Sequence, residues 1–264
     1  MTTADHTDPH PAVRTERIGH VQVLTIDRPK TRNALSTEVL RGLVEGLEAA
    51  EHDDDVRAVV LTGGPRLFAS GADLRELRDT TPSRYLLSER QRAWPAFSGF
   101  PKPLVAAVAG YVLGGGCEIA MSCDFIVAGD SAVLGQPEIN LGIIPGAGGT
   151  QRWARVCGRF RAADLVMGGT NVDAWTAHRL GLVHQVVPAE CVVDAGVALA
   201  VRLAAASPIA QRLGKSALRQ SEEVGVTAGL EYERSQLAIL LSTADKVEGI
   251  SAFLEKRPAE FRGE

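Results

Sequence analysis

The sequence predicts an α/β fold: strand–turn–helix units over the first ~190 residues, then an all-helical stretch. Three observations predict it. Short β-branched runs such as VRAVVLT (Val56–Thr62) and LVAAV (Leu104–Val108) alternate with segments of helical period. Glycine-rich corners, Gly63-Gly64-Pro65 and Gly114-Gly115-Gly116, follow those runs. From Ala189 onward every apolar stripe is helix-periodic and no strand intervenes.

Val13–Arg17 and Val21–Ile26 alternate apolar and polar residues about Gly19-His20, the pattern of a hairpin. The loop DRPKTRN (Asp27–Asn33) carries Arg28, Lys30 and Arg32. Ser36 is placed to cap a helix whose face is Val39, Leu40, Leu43, Val44 and Leu47. Val56–Thr62 is a buried strand, and LFASGADL (Leu67–Leu74) is a small-residue turn into a helix capped by Asp73. Arg75–Gly99 is polar and mixed: one or two exposed helices broken near Pro82 and Pro95. Then come a strand at Leu104–Val108, a loop at Gly110–Gly116, a buried helix from Cys117, and short strands at Phe125–Ala128 and Ala132–Gly135. Helices follow at Gly146–Val156, Phe160–Gly168 and Ala174–Leu180, with a last strand at Val183–Val187. The tail is four helices: Val192–Ala206, Ile209–Glu222, Thr227–Leu241 and Asp245–Lys256. Their exposed leucines (Leu230, Leu237, Leu240, Leu241) predict an oligomer.

Composition excludes several classes. With 28 Lys and Arg against 32 Asp and Glu, the net charge of −4 advertises no nucleic-acid surface. The longest apolar run, Leu104–Ala109, is far short of a membrane span. Residues 1–11 read as a disordered polar tail and not a signal peptide. Four cysteines form no CxxC and no metal-ligand spacing, so a reduced, cytoplasmic setting and no metal site are expected.

The chemistry concentrates in Lys102–Arg152. Glu118 follows Gly114-Gly115-Gly116-Cys117, and Glu138 follows Leu134-Gly135-Gln136-Pro137. A carboxylate in such apolar surroundings is costly unless it is paired, hydrated or put to use. A lone buried Glu on a helix is ordinarily structural; two in matched glycine-rich settings suit a divided acid and base role on one water. Ser70-Gly71-Ala72-Asp73 and Gly114-Gly115-Gly116 each lead from a strand into a helix, where amides point outward. Singly, each glycine serves a tight turn; together, two such amides can stabilise one developing oxyanion. Neither loop is GxGxxG or a Walker A sequence, so a nucleotide-phosphate fingerprint is missing. His178 and His184 have no triad context, and Asn33 and Asp124 read as structural.

Five motifs in order carry a resemblance. They are Arg28-Pro29-Lys30 with Asn33-Ala34-Leu35, Phe68–Leu74 (FASGADL), Gly110–Glu118, Gly135–Gly149 and Phe253–Arg257 (FLEKR). Together they resemble the enoyl-CoA hydratase/isomerase (crotonase) superfamily over about Val13 to Phe261. The resemblance implies a spiral of strand–strand–helix repeats over residues 12–190 and a C-terminal helical trimerisation region over 191–264. It implies a homotrimer or hexamer acting on acyl-CoA thioesters, with coenzyme A as part of the substrate and no other cofactor. By position it makes Glu118 the general base toward water and Glu138 the acid toward the α-carbon. The backbone N–H groups of Ser70 and Gly115 become the oxyanion hole, with Ser70 standing where the family usually has Ala. It assigns substrate or coenzyme A contacts to Arg28, Lys30, Ala69, Gly71, Ala72, Asp73, Leu74, Gly114, Gly146, Phe253 and Lys256, with the Gly146 amide helping to hold the water and Phe253 and Lys256 reaching a neighbouring subunit's nucleotide. The reaction implied is hydration of trans-2-enoyl-CoA. A Δ3-Δ2-enoyl-CoA isomerase, needing Glu138 alone, and a 3-hydroxyacyl-CoA dehydratase are the alternatives on this fold; an inactive acyl-CoA-binding scaffold is the rival of another class.

Overall fold

The alternation about Gly19 folds as an antiparallel hairpin, β1 (Val13–Ile18) and β2 (Val21–Ile26). Gly19 turns the corner at φ 57°, a region that favours glycine. The structure, a computed structural model, describes residues 11–264; the tail expected over 1–11 lies outside them except for Pro11. Ser36 caps α1 (Thr37–His52), its hydroxyl accepting from the Val39 N–H at 3.3 Å. Val39, Leu40, Leu43 and Leu47 turn inward as their spacing requires. After β3 (Ala58–Thr62), Asp73 caps α2 (Leu74–Arg78) by accepting from the Arg75 N–H at 2.9 Å.

The mixed segment that follows differs from expectation. It forms α3 (Pro82–Leu86) and α4 (Glu89–Gly99) beyond α2. Pro82 opens α3, where its missing N–H costs nothing, and Pro95 sits inside α4 without ending it. Nor is α4 merely exposed: it packs on α1 and buries Arg90, Ala93 and Phe97.

β4 (Leu104–Val108) continues into β5 (Tyr111–Leu113), so the stretch expected as a loop holds a short strand. α5 (Gly115–Ser122) starts two residues earlier than expected. β6 (Phe125–Gly129) and β7 (Val133–Gly135) lead into a 3₁₀ turn at Pro137–Leu141. α6 (Gly149–Met167) joins the two expected helices across a kink at Gly158, φ 76°, and begins after Gly146. β8 (Asn171–Asp173), unforeseen, precedes α7 (Ala174–Arg179) and β9 (Gln185–Val187). The tail helices are α8 (Val192–Ala204), α9 (Pro208–Gln220), α10 (Val226–Leu240) and α11 (Ala244–Glu255).

The strands form two sheets, ordered β1-β2-β3-β4-β6-β9 and β5-β7-β8. From β2 to β9 the large sheet is parallel. The pairs β4–β5 and β6–β7 each place one strand in the large sheet and the next in the small one before a helical turn. After β3, Ala69 makes only a parallel bridge to Val112, a stub of the same repeat. This is the expected spiral of strand–strand–helix units. One face of the large sheet buries Leu24, Leu61, Leu104 and Ala106 with α1, α4 and α5. The other face is covered by α8, with Val192, Leu199 and Ala200 over Val60, Val105 and Ala107. The helical region thus begins with a helix that belongs to the core. By contrast no residue of α10 is buried, and Leu237, Ile239, Ile250, Phe253 and Leu254 are exposed on α10 and α11. Among the described residues no single helix is long and apolar enough to cross a membrane.

Candidate active site

Three backbone corners meet where the spiral turns from β5 to α5. Gly114 takes φ 51° and ψ −124° to make that turn. Its N–H donates to the Gly135 carbonyl at 2.9 Å, and its own carbonyl accepts the Glu118 N–H at 2.9 Å. Gly71 approaches from the first repeat: a Cβ there would lie 3.9 Å from the Gly114 Cα. A Cβ on Gly114 would lie 2.9 Å from Glu138 Oε1. Glycine at 114 therefore lets the loop that carries one carboxylate touch the helix that carries the other.

Glu118, in the first turn of α5, is 2% exposed. Its Oε1 accepts from the Ala147 N–H at 2.7 Å and the Gly149 N–H at 2.8 Å. Arg152 holds that loop in place by donating to the Ala147 carbonyl at 2.9 Å. Burial raises the Glu118 pKa; the two amides, then Arg152 and Arg90, pull it back. Glu138 lies on the Pro137–Leu141 turn and is half-buried. The fully buried Gln136 amide, oriented with nitrogen toward the carboxylate, donates to both Glu138 oxygens at 3.0 and 3.1 Å. Burial, reinforced by the Glu118 charge, lifts the Glu138 pKa to about 7. So the two carboxylates sit within each other's field and differ in preference: amide donors favour charge on Glu118, while Glu138 is poised to hold a proton.

The amide donors are not quite those the motifs suggested. The Ser70 N–H donates to the Arg32 carbonyl at 3.2 Å and is committed to the framework. Arg32 reaches it because it adopts φ 54°. Two residues on, the Ala72 N–H has no acceptor among the described residues, and neither has the Gly115 N–H at the first position of α5. These two amides are neighbours: a Cβ on Gly115 would stand 3.9 Å from the Ala72 nitrogen.

Other expected contacts divide. Ala69 is fully buried with both backbone groups in ladder bonds, to Tyr111 and Leu113, so it is framework and not a ligand contact. Asp73 caps α2, and the Gly71 carbonyl accepts from the Leu35 N–H at 2.8 Å. Leu74 is exposed beside them. Arg28 is paired with Glu38 at 2.6 Å, whereas Lys30 is exposed and in no ion pair among the described residues. The Gly146 amide does not join the pair of donors on Glu118; Gly146 instead leaves room for the Tyr85 hydroxyl, which a Cβ would strike. Phe253 and Lys256 stand exposed at the end of α11, far along the chain from the carboxylates. Asn33 and Asp124 are structural as expected, Asn33 bonding the Leu67 and Phe68 carbonyls and Asp124 pairing with Lys215 at 2.6 Å. Features the motifs did not announce are the free amide of Ala72, Gln136, the Ala147 and Gly149 amides on Glu118, Tyr85 and Arg90.

A groove of about 560 Å³ between β1 and α1, lined by Val13, Gln22, Glu38, Arg41 and Glu45, includes neither Glu118 nor Glu138. Chemistry and not volume locates the site.

Comparison with known proteins places the chain in a family. The enoyl-CoA hydratase/isomerase family matches residues 16–264. A 2,3-dehydroadipyl-CoA hydratase of Escherichia coli (strain K12) is 46% identical over 243 residues, 92% of this chain and 95% of the relative. The mitochondrial enoyl-CoA hydratase of Pongo abelii is 38% identical over 242 residues, 92% of this chain and 83% of the relative. The crystal structure of an enoyl-CoA hydratase from Bacillus anthracis superimposes with a TM-score of 0.91 at 35% identity, over 96% of this chain and all of that one (100%). The chain therefore belongs to the enoyl-CoA hydratase/isomerase family, the crotonase superfamily, as an enzyme of hydratase type.

Proposed function

We propose that the protein adds water across the double bond of trans-2-enoyl-CoA thioesters to give 3-hydroxyacyl-CoA. One observation carries the reading: two coupled carboxylates, Glu118 held by two backbone amides and Glu138 with its pKa lifted to about 7, lie beside two uncommitted amides. The Ala72 and Gly115 N–H groups receive the thioester carbonyl oxygen. Ionised Glu118 takes a proton from water as its oxygen bonds to the β-carbon. The alkene electrons move onto the carbonyl oxygen as an enolate, and protonated Glu138 delivers its proton to the α-carbon. A preorganised amide donor of this kind lowers a barrier by about 3 kcal/mol, and each positioned carboxylate contributes roughly 10²–10⁴-fold. Proton exchange through solvent resets both carboxylates, and the scheme asks for no metal or redox group.

Exposed Lys30 is the cation best placed for the anionic end of coenzyme A, since Arg28 already has Glu38. The apolar faces of α10 and α11 support trimers or hexamers, with Phe253 and Lys256 facing a neighbour. Four free cysteines support a reducing, cytosolic setting. Similarity to the 2,3-dehydroadipyl-CoA hydratase favours a short acyl chain ending in a second carboxylate. Dehydration of a 3-hydroxyacyl-CoA uses the same residues in reverse.

Purified protein is mixed with crotonyl-CoA and 2,3-dehydroadipyl-CoA while the conjugated-thioester absorbance is followed. Loss of absorbance with formation of the 3-hydroxy product is expected. No turnover of any 2-enoyl thioester would overturn the reading, and double-bond migration without hydration would favour the isomerase.

A further inference from the structure

α4 buries a cation that the hydration chemistry does not use. Arg90 is 8% exposed. Its guanidinium donates to the Leu35 carbonyl, and among the described residues it forms no ion pair. Its other N–H groups have no protein acceptor either. Yet they are not sealed in protein: the orphaned, fully enclosed side-chain nitrogens among the described residues are only Gln91 Nε2 and Trp153 Nε1. The free edge of Arg90 therefore opens onto a space that solvent, and a ligand, can reach.

That space adjoins the reacting atoms. Leu35, whose carbonyl Arg90 holds, lies against Gly115, with its Cδ1 3.2 Å from where a Cβ would stand. Trp94, one turn along α4, lies 3.6 Å from the same point. Glu76, Asp73 and Glu118 are near enough for their charges to act on Arg90. α4 thus lies beside the Gly115 amide that receives the thioester carbonyl in the hydratase reading. Tuning of Glu118 is not the main role of the cation, because burial, the two backbone amides and Arg152 all act more strongly on that carboxylate than Arg90 does. Glu76, Asp73 and Glu118 favour the charged guanidinium but none is bonded to it, so its remaining N–H groups are left without a direct partner. The guanidinium is a planar fork; with one edge on Leu35, the remaining edge suits a carboxylate.

Building on the hydratase reading above, we propose that Arg90 is a specificity-determining residue that binds a carboxylate at the far end of the acyl chain, selecting short 2-enoyl thioesters of dicarboxylic acids. 2,3-Dehydroadipyl-CoA and trans-2-hexenoyl-CoA have the same carbon count and differ in the terminal carboxylate, so their ratio of kcat/KM reads the proposal directly. The wild-type ratio is expected to favour the dicarboxylic substrate by about tenfold or more, and Arg90→Met to lower that ratio by about 10- to 100-fold, whatever it does to the absolute rates. Arg90→Lys, which keeps the charge but not the fork, is expected to fall between them and serves if the Met variant does not fold. Equal use of the two substrates by wild type, or equal losses on both in the variants, would overturn the proposal and leave Arg90 as an anchor for α4. If wild type hydrates neither, the hydratase reading itself fails.

Discussion

Glu118 sits on the first turn of a regular helix, closed from solvent, and one of its oxygens takes two backbone N–H groups. Glu138 sits on a short 3₁₀ turn, half-open, with a single side-chain amide, that of Gln136, spanning its oxygens. Burial alone would raise both, and more so the deeper one. What separates them is the donors: fixed backbone amides stabilise the charged form of Glu118, whereas Glu138 is left near neutrality at about pH 7 with a like charge beside it. One chemical group becomes base or acid according to which backbone faces it.

The largest break in this comparison is Glu118→Gln. The amide oxygen of Gln can still accept from Ala147 and Gly149, so the fold should stand while the base is lost. Hydration should fall roughly 10²–10⁴-fold with little change in thermal midpoint. A drop of less than about threefold in kcat would move the base elsewhere.

Glu138→Gln should cost activity comparably and, in addition, change stability in a pH-dependent way. A carboxyl whose folded pKa is raised from 4.5 to about 7 holds its proton in the folded state while the unfolded chain has lost it. Folding stability should therefore decline as pH rises through that window and level off above it. After discounting for partial exposure, removing the group should gain about 1 kcal/mol at pH 8 and nothing below pH 4, measurable by denaturant titration. In the wild type, kcat/KM should fall above about pH 7 as the acid is lost, and the Gln variant should lack that alkaline limb.

Gly114→Ala probes the point where the two regions touch. The residue holds φ 51°, and a methyl there would press on Glu138 Oε1. Strain of about 1–2 kcal/mol and a displaced acid are expected, with kcat/KM reduced about 10- to 100-fold. Unchanged kinetics with lost stability would show that the carboxylate simply swings aside.

Much of this was legible in the letters. Long periodic segments such as Thr37–His52 and the tail helices fall where their apolar spacing puts them, and Ser36 and Asp73 cap as their side chains require. β5 and β8 escaped because three residues are too few to show alternation. Arg75–Gly99 was the least readable because it has no clean apolar period; there the sequence hid both the burial of Arg90 and the continuity of α4 through Pro95. In the site the carboxylates were readable because they are side chains. Of the two free amides the motifs named Gly115 but put Ser70 in place of Ala72, since a backbone N–H is available or spent according to what its neighbours accept, and no residue type records that.

Ser70 is the sharpest instance, and Ser70→Ala should have the smallest effect of the series. Its N–H reaches the Arg32 carbonyl whichever side chain it carries, and its hydroxyl makes no hydrogen bond among the described residues. The change should leave stability within about 0.5 kcal/mol and kcat/KM within about threefold, because the donors to the thioester oxygen are then the amides of Ala72 and Gly115. A loss of tenfold or more in kcat, with KM held, would place the Ser70 hydroxyl among the groups that meet the transition state. The difference between base and acid would then rest on a side chain in the first repeat as well as on the backbone between the two glutamates.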